Sequence, residues 1–331
     1  MMSTPKSARR DRSFHLPVML EDALEIAGRL GERGWLVGGG QDTYGWLKDR
    51  AKSVDALIDL SAIESLRGVR QDGDTLEIGA MTTLTEVATD PVIRERFSLL
   101  ADAAAIVASP QIRNIGTIGG NVSQDVRCWY YRRGLSCYRA GGNLCYADTP
   151  QAMNREHSLF EGSRCVAAGA SDTAPALVAL NASMVIRNSG GEREVSAEDF
   201  FVGPARDILN TTIMRPGDIL TAIRLPADWR DATFYFEKVA DRNVWDFSLV
   251  SIAAAFRVEG GSIAGASIVC GAVQTTPRRL RNVENAAIGM SKDMATAEAV
   301  APMSTAGARA LAHNGFKIPL MQNLVKRAIA A

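Results

Sequence analysis

Four of the five cysteines in this chain lie within one segment that is rich in glycine and arginine. They are Cys128, Cys137, Cys145 and Cys165, with the spacings C-x8-C, C-x7-C and C-x19-C. Four thiolates can complete one iron–sulfur or zinc centre, but neither the short C-x2–4-C knuckle of structural zinc sites nor the ferredoxin pattern is present. The cysteines alone therefore indicate a centre of either type, with disulfides or free thiols as the alternative. Cys270 lies apart in an apolar run and is interpreted as a small buried hydrophobic residue.

Two glycine-rich segments have the composition of a phosphate-binding site. The first, LVGGGQDT, covers residues 36–43, and the second, SPQIRNIGTIGGN, covers residues 109–121. Consecutive glycines let backbone N–H groups point at a pyrophosphate, and Thr117 and Asn121 add hydrogen-bonding side chains. Neither segment is a Rossmann or a Walker A motif. A tight turn without ligand is the alternative for the first segment, and the other polar side chains of the second can instead stabilise the loop itself.

The elements that must position these residues alternate between helix and strand over most of the chain. Helical spacing of apolar residues predicts a helix over residues 20–33, and DTYGWLKDR is a second helix with Asp42 able to cap its start. SGGE predicts a hairpin, and residues 109–121 are interpreted as a loop. After about residue 230, three antiparallel strands precede a helical end. The predicted strands are WLV, VDALIDL, TLEIGA, ASMVIRN, DILTAIRLP, FYFEKVA, SLVSIAAAFRV and SIAGASIVCGAV.

Composition and charge exclude several functional classes. The 37 basic residues balance 37 acidic ones, which gives no support for nucleic-acid or membrane-surface binding. No apolar stretch approaches the about 20 residues of a membrane span. The N-terminal MMSTPKSARRDRSFHLP is interpreted as a disordered lead-in rather than a signal peptide, so a cytoplasmic location is expected. The alternative is the periplasm, reached with a partner subunit that carries the signal.

Five motifs in order resemble the FAD-binding medium subunit of the molybdenum hydroxylases, the xanthine dehydrogenase and carbon monoxide dehydrogenase family. They are VGGGQDT, IRNIGTIGGN, SDTAPALVALNA, KVADRNVWDFSLVSIAA and GAVQTTPRR. One departure is Gly40, where the family usually has threonine. The resemblance implies an α+β fold with a two-subdomain FAD-binding domain of the vanillyl-alcohol-oxidase-like (PCMH) type at residues 1–229. A smaller α/β C-terminal domain with a three-stranded antiparallel sheet and helices is expected at residues 230–331.

The same resemblance implies the cofactor contacts, motif by motif. The first motif should cradle the FAD pyrophosphate, and the second should contact phosphate or flavin. Asp172 should hydrogen-bond the cofactor, Leu220 should lie against its rings, and Lys238 should approach the polar edge of the flavin, where a cation can stabilise a reduced anionic flavin. The implied FAD residues are Leu36, Val37, Gly38, Gly39, Gly40, Gln41, Asp42, Thr43, Val107, Gly116, Thr117, Gly120, Asn121, Ser123, Asp172, Leu220 and Lys238.

The four clustered cysteines gain a context from the resemblance. In simple family members the GGN loop is closely followed by the SD motif, whereas here an insert of about residues 122–171 separates Asn121 from Asp172. This resembles the subgroup with an extra 4Fe-4S cluster, the three-subunit aldehyde oxidoreductases and hydroxybenzoyl-CoA reductase, and implies the four cysteines as its ligands. The six arginines of the insert, against four acids, should ease reduction of an anionic cluster unless they form a solvated surface. His157 is interpreted as a surface residue or as a neighbour of the ligands.

Together these features predict an electron-transfer subunit without catalytic residues for the organic substrate. The expected partners are a molybdenum-cofactor large subunit and a 2Fe-2S small subunit, in a heterotrimer or a dimer of heterotrimers, and an external electron acceptor or donor. The complex is expected to oxidise an aldehyde or an aromatic or heterocyclic compound. The alternatives are the β-type subunit of a hydroxybenzoyl-CoA reductase, in which electrons run inward, a cluster-bearing docking module with vestigial flavin loops, and a stand-alone flavin oxidase.

Overall fold

A computed structural model describes residues 11–331 of the chain. Its first layer is a parallel sheet in which β3 (Ala56–Asp59) lies between β1 (Ser13–His15) and β2 (Gly34–Val37). Parallel strands need crossover connections, and α1 (Leu20–Leu30) and α2 (Thr43–Lys48) supply them. The helix predicted at residues 20–33 is thus confirmed. Its apolar stripe packs on the sheet to form a small core of its own.

A second, antiparallel sheet has the strand order β4-β5-β8-β6-β7. The predicted SGGE hairpin is confirmed as the turn between β6 and β7, where Asn188 pairs with Gly191. This sheet and the helices that pack on it enclose the largest hydrophobic core of the described residues. The strands are β4 (Val69–Asp72), β5 (Thr75–Gly79), β6 (Ser183–Asn188), β7 (Gly191–Ser196) and β8 (Ile219–Leu225).

The third sheet begins the C-terminal domain and has four strands in the described chain, in the order β12-β11-β10-β9. The prediction of three strands was therefore wrong, because β12 (Arg278–Arg279) adds a two-residue edge to β11 (Ser262–Gly271). The neighbouring strands are β9 (Thr233–Val239) and β10 (Val250–Glu259). Alternate residues of β10 enter two different cores, one shared with the second sheet and one beneath the C-terminal helices. Burial on both faces explains the continuous apolar run IAAAF, residues 252–256, within this strand.

Short helices connect and cover the sheets, and none within residues 11–331 is long and apolar enough to cross a membrane. The interpretation of residues 109–121 as a loop was wrong, because two helical turns form there. Ser109 and Thr117 start them by accepting backbone N–H groups on their hydroxyl oxygens. The remaining helices are α3 (Leu84–Thr89), α4 (Pro91–Arg96), α5 (Ser98–Ala105), α6 (Pro110–Arg113), α7 (Ile118–Val122), α8 (Trp129–Arg132), α9 (Thr173–Ala179), α10 (Ala197–Phe200), α11 (Arg281–Ala287), α12 (Met294–Val300) and α13 (Lys317–Ala330), with 3-10 turns at Gly31–Arg33, Glu64–Leu66, Tyr138–Ala140, Ala227–Trp229 and Ala301–Thr305.

Two further expectations differ from the structure. The disordered lead-in was placed at residues 1–17, but Ser13–His15 form β1, and residues 1–10 lie outside the described chain. Asp42 precedes α2, yet its side chain makes no capping hydrogen bond. It accepts the indole N–H of Trp46 at 3.0 Å and binds arginines of the insert instead. Asp42 therefore bonds arginines of the insert rather than the backbone N–H groups at the start of α2.

The cysteine insert packs against both domains. Trp46 of α2 is fully buried among insert residues, including Tyr131, whose ring centroid lies 5.0 Å from that of Trp46. On the other side, Leu159 and Phe160 enter the core beneath the C-terminal helices. The buried ammonium of Lys317 donates to the carbonyl oxygens of His157 and Ala272, each at 3.0 Å. The insert is thus held by apolar and polar contacts to both domains.

Candidate functional site

A cavity of about 480 Å³ is lined by both glycine-rich segments, the start of the insert and a loop of the C-terminal domain. The structure brings thirteen of the sequence-predicted cofactor residues together in its wall. They are Leu36, Gly38, Gly40, Gln41, Asp42, Thr43, Val107, Gly116, Thr117, Gly120, Asn121, Ser123 and Asp172.

The two glycine-rich segments pack backbone against backbone at this cavity. The hydroxyl of Thr117 donates to the carbonyl oxygen of Gly38 at 3.0 Å. A Cβ atom on Gly39 would lie 2.2 Å from the carbonyl oxygen of Ile115, and one on Gly120 would lie 2.7 Å from that of Gly38. Gly39 also has a φ of +86°. The close approach itself requires these glycines, and it forms the kind of backbone cradle that suits a pyrophosphate.

Gly40 is the position at which the family pattern has threonine. Its φ is +74°, and a Cβ atom there would lie 2.3 Å from the ring of Tyr44. The ring of Tyr44 therefore occupies the space that a side chain at residue 40 would need, and the backbone of Gly40 lines the cavity directly.

The other four predicted residues stand outside the cavity wall. Val37 is the buried last residue of β2, and Gly39 is covered by Ile115. Leu220 lies on β8 in the largest core. Lys238 lies on β9, where its ammonium bonds Asp172. The direct cofactor contacts assigned to these four residues stay predictions.

Asp172 is a buried carboxylate that bonds residues of the C-terminal domain. Lys238 Nζ donates to Asp172 Oδ2 at 2.7 Å, and the Ser248 hydroxyl donates to Oδ1 at 2.6 Å. Lys238 also donates to the carbonyl oxygen of Asp246 at 2.7 Å. Burial raises the pKa of Asp172, while Lys238 and Ser248 oppose the rise. The SD motif thus ties the cavity wall to the C-terminal domain.

Asn121 is oriented by the same motif. The hydroxyls of Ser171 and Thr173 donate to its amide oxygen at 2.6 and 2.7 Å. The oxygen is occupied by these two donors, so the N–H₂ group is the part of the amide that can serve a ligand. Asn121 lines the cavity, so this group is available as a donor to a ligand.

Sequence reasoning missed part of the cavity wall, most of all Arg127. Arg127 Nη1 lies 2.5 Å from Asp42 Oδ1, and its guanidinium stacks over the ring of Phe247 with 4.8 Å between guanidinium carbon and ring centroid. It therefore joins the first glycine segment to the loop after β9. Two sequence signals were available for these residues. Arg127 directly precedes Cys128, and Phe247 lies within the fourth motif. The missed wall residues are Trp35, Lys52, Leu84, Ala108, Ile112, Gln124, Asp125, Arg127, Ala170, Leu209, Asn210, Thr211, Thr212, Trp245, Asp246 and Phe247.

All four insert cysteines line a second, smaller cavity, which we call the thiol cavity. All four are free thiols in the structure, so the disulfide alternative is not what forms. Burial raises the pKa of Cys128 to about 11 and also raises that of Cys145. Within residues 11–331, no three His, Cys, Asp or Glu side chains lie close enough together to form a ready site for a single metal ion.

Two polar side chains beside the insert cysteines have buried atoms without a hydrogen-bond partner among residues 11–331. Arg139 is 3% exposed, and its Nε and Nη2 have no hydrogen-bond partner. His157 is 2% exposed, its Nε2 lies 3.3 Å from Cys128 Sγ, and its Nδ1 has no partner. His157 is therefore a neighbour of a cysteine, and the surface interpretation was wrong. Burial and Lys317 lower its pKa to about 4.

The remaining insert arginines and Cys270 have simpler surroundings. Arg164 also lines the thiol cavity, whereas Arg155 forms an exposed pair with Asp241 at 2.6 Å. The insert arginines thus do not form one uniform solvated surface. Cys270 is fully buried on β11 in the core of the C-terminal domain, which confirms the interpretation as a hydrophobic residue. Burial raises the pKa of its thiol to about 12.

Comparison with known protein families covers nearly the whole chain. Residues 9–228 match the family described as the FAD binding domain in molybdopterin dehydrogenase. Residues 235–331 match the CO dehydrogenase flavoprotein C-terminal domain.

Individual relatives and solved structures agree with these matches. The carbon monoxide dehydrogenase medium chain of Hydrogenophaga pseudoflava is 27% identical over 323 residues, which cover 96% of both chains. The aldehyde oxidoreductase FAD-binding subunit of Escherichia coli is 29% identical over 298 residues, 89% of this chain and 90% of the relative. A carbon monoxide dehydrogenase structure from H. pseudoflava is similar with a TM-score of 0.75 at 25% identity, covering 96% of each chain. The cyanide-inactivated Cu,Mo-CO dehydrogenase has a TM-score of 0.76 at 23% identity over 96% of each chain, which shows the fold.

Proposed function

Because the chain belongs to the family of FAD-binding medium subunits of molybdenum hydroxylases, we propose that it is the electron-transfer subunit of such a complex. Its relatives are subunits of FAD-dependent dehydrogenases and oxidoreductases. The large cavity between the two glycine-rich segments is the observation that carries this proposal. Bound FAD would exchange electrons with partner centres and with an external acceptor or donor.

The residues of the cavity fit FAD. The first glycine segment offers its backbone at Gly38 and Gly40, and the Asn121 amide is oriented as a donor. A side chain on Gly39 would collide with the second segment, so the cradle depends on its glycines. We place the end of the FAD-binding domain near residue 229 and the start of the C-terminal domain near 230.

Noncovalent FAD binding is tested by acid precipitation of the purified chain. We expect one FAD per chain, released into the supernatant, because no Cys or His lies among the residues of the cavity wall. Flavin that stays in the pellet would contradict noncovalent binding. A purified complex without flavin would contradict the electron-transfer proposal and favour the docking-module alternative.

We further propose that the thiol cavity holds one 4Fe-4S cluster on Cys128, Cys137, Cys145 and Cys165. Four free thiols line a single cavity, and such a centre takes four thiolates. The unpartnered Nε and Nη2 of Arg139 support an anionic occupant, because buried donors without a partner are costly.

Metal and sulfide analysis of anaerobically purified protein tests the cluster. About four iron and four sulfide per chain are expected for a 4Fe-4S centre. One zinc without iron or sulfide would overturn the assignment.

The substrate belongs to a partner subunit in this proposal. Relatives are named for carbon monoxide, aldehydes and nicotinate, and we propose an aldehyde or an aromatic or heterocyclic compound for the complex. The proposed partners are a molybdenum-cofactor large subunit and a 2Fe-2S small subunit. The isolated chain should therefore not oxidise such substrates, and full activity of the chain alone would refute the proposal. The cytoplasmic location stays a prediction.

A further inference from the structure

The cavity lined by the two glycine-rich segments is called the flavin cavity below. The carboxylate of Asp125 contacts residues of both this cavity and the thiol cavity. Asp125 lines the flavin cavity and receives Lys52 Nζ at 2.5 Å, and Lys52 lines the same cavity. The same oxygen, Oδ2, also accepts the Tyr131 hydroxyl at 3.3 Å, and Oδ1 accepts an N–H of Arg139 Nη1 at 3.4 Å. Arg139 and Tyr131 both line the thiol cavity. One carboxylate therefore bonds to cations of both cavities.

The two cations differ in how firmly other groups hold them. The ammonium of Lys52 lies 4.8 Å from the ring centroid of Trp46, 5.4 Å from that of Trp35 and 5.7 Å from that of Tyr131. These aromatic faces attract the ammonium independently of Asp125. Lys52 therefore has an attachment that the carboxylate does not provide.

Arg139 depends far more on the carboxylate. Among residues 11–331, Asp125 is its one carboxylate partner, while the carbonyl oxygen of Leu209 accepts from Nη1 at 3.2 Å and the sulfur of Cys165 lies nearby. A guanidinium stays protonated in proteins, so Arg139 is a cation. Arg139 lines the thiol cavity, and its Nε and Nη2 have no hydrogen-bond partner within residues 11–331.

We propose that Asp125 is a positioning residue that holds the guanidinium of Arg139 against the thiolate centre while it neutralises part of the charge of Lys52 at the flavin. The proposal rests on the cluster and FAD assignments made above. A cation beside a thiolate centre favours the form with the added electron, because that form carries more negative charge. Asp125 therefore sets the electrostatic balance between the two centres.

The test uses the complete, anaerobically purified complex with Asp125→Asn. At one solution potential set by redox mediators, the cluster is followed by electron paramagnetic resonance and the flavin by absorbance. We expect the reduced-to-oxidised ratio of the cluster to fall about tenfold, because Arg139 loses its anchor. The same ratio for the flavin should rise, because Lys52 keeps its aromatic contacts and loses its counter-charge. Asp241→Asn is the matched control, since it removes a carboxylate from an exposed pair with the insert residue Arg155 and should change neither ratio.

A second pair of variants separates charge from structure. Arg139→Gln should lower the cluster ratio about tenfold without the flavin change, and adding Asp125→Asn should produce no further fall. Arg139→Lys keeps the charge and should remain nearer the unmodified complex. If the Asp125→Asn complex does not assemble, Arg139→Gln and Arg139→Lys still test whether the cation affects the cluster.

Several results would overturn the proposal. A rise of the cluster ratio in Asp125→Asn would show that Asp125 acts only through its own negative charge. Equal ratios for Arg139→Gln and Arg139→Lys would show that the cation has no effect on the cluster. An iron-containing complex with unmoved ratios refutes this proposal alone, whereas an unmodified complex without iron refutes the cluster assignment and this proposal with it.

Discussion

Asp172→Ala should destabilise the protein through the partner that it leaves behind. The Asp172 side chain is 4% exposed and that of Lys238 is 8% exposed, so the pair at 2.7 Å is shielded from solvent. After the substitution, the ammonium of Lys238 stays buried and keeps the carbonyl oxygen of Asp246 as an acceptor, while the Ser248 hydroxyl loses its acceptor. Removing one partner of a buried ion pair costs about 3–5 kcal/mol. Domains are stable by about 5–15 kcal/mol, so the variant should fold but unfold at much lower urea.

Urea unfolding of the complete chain without FAD, followed by circular dichroism, measures this loss directly. Lys238→Met in the Asp172→Ala background removes the unpaired charge and should restore most of the stability. Asp74→Ala is a control, because Asp74 is 84% exposed in its pair with Arg230 and the change should leave the urea midpoint nearly unchanged.

The double variant also separates folding from cofactor binding. If Asp172 or Lys238 contacts FAD, the double variant regains stability but still loses FAD on dialysis. If the two residues serve only the ion pair, FAD retention recovers together with stability. An unchanged urea midpoint for Asp172→Ala would refute the reasoning, since a buried ammonium cannot lose its counter-ion without cost.

Three further predictions address the cradle, the insert and pH. Gly39→Ala should lose FAD on dialysis, because its Cβ atom would lie 2.2 Å from a carbonyl oxygen, whereas Gly73→Ala, at a positive φ with open space around it, should retain FAD. Serine at any one of the four insert cysteines should lose iron and make residues 122–171 sensitive to limited proteolysis, while Cys270→Ser should keep its iron; retained iron in the insert variants would contradict the ligand set. Burial lowers the pKa of Lys317 from 10.5 to about 7, so between these values the unfolded chain binds more protons at this residue and its contribution to stability should rise with pH. In urea unfolding, the difference in free energy between the unmodified chain and Lys317→Met should shift by about 1.4 kcal/mol per pH unit in favour of the unmodified chain; a difference that does not change with pH would show that this lysine is not buried as a neutral amine.

The sequence by itself determined most elements and the glycine-rich walls of the cavity. Strands and helices follow from the period of apolar residues, which depends on neighbours in the chain. The glycines could be assigned because their requirement is for the backbone: Gly39 must adopt a positive φ and pass close to another segment. The short helices within residues 109–121 escaped notice because one helical turn is too short to show a period, although Ser109 and Thr117 are typical first residues of helices.

Only the tertiary structure decided which charged groups meet. Asp172 and Lys238 are 66 residues apart in the chain, and Asp42 and Arg127 are 85 apart, yet each pair is in direct contact. No local pattern records such a pairing, because a charged side chain can reach any partner that the fold brings within a few ångströms. The cysteine spacing likewise identified a group of thiols, but their single cavity exists because the insert packs on Trp46 and on the C-terminal core. A residue's backbone conformation depends mainly on its own type and its chain neighbours, so it can be predicted from the sequence. The partner of a charged side chain depends on how distant segments pack, so it cannot.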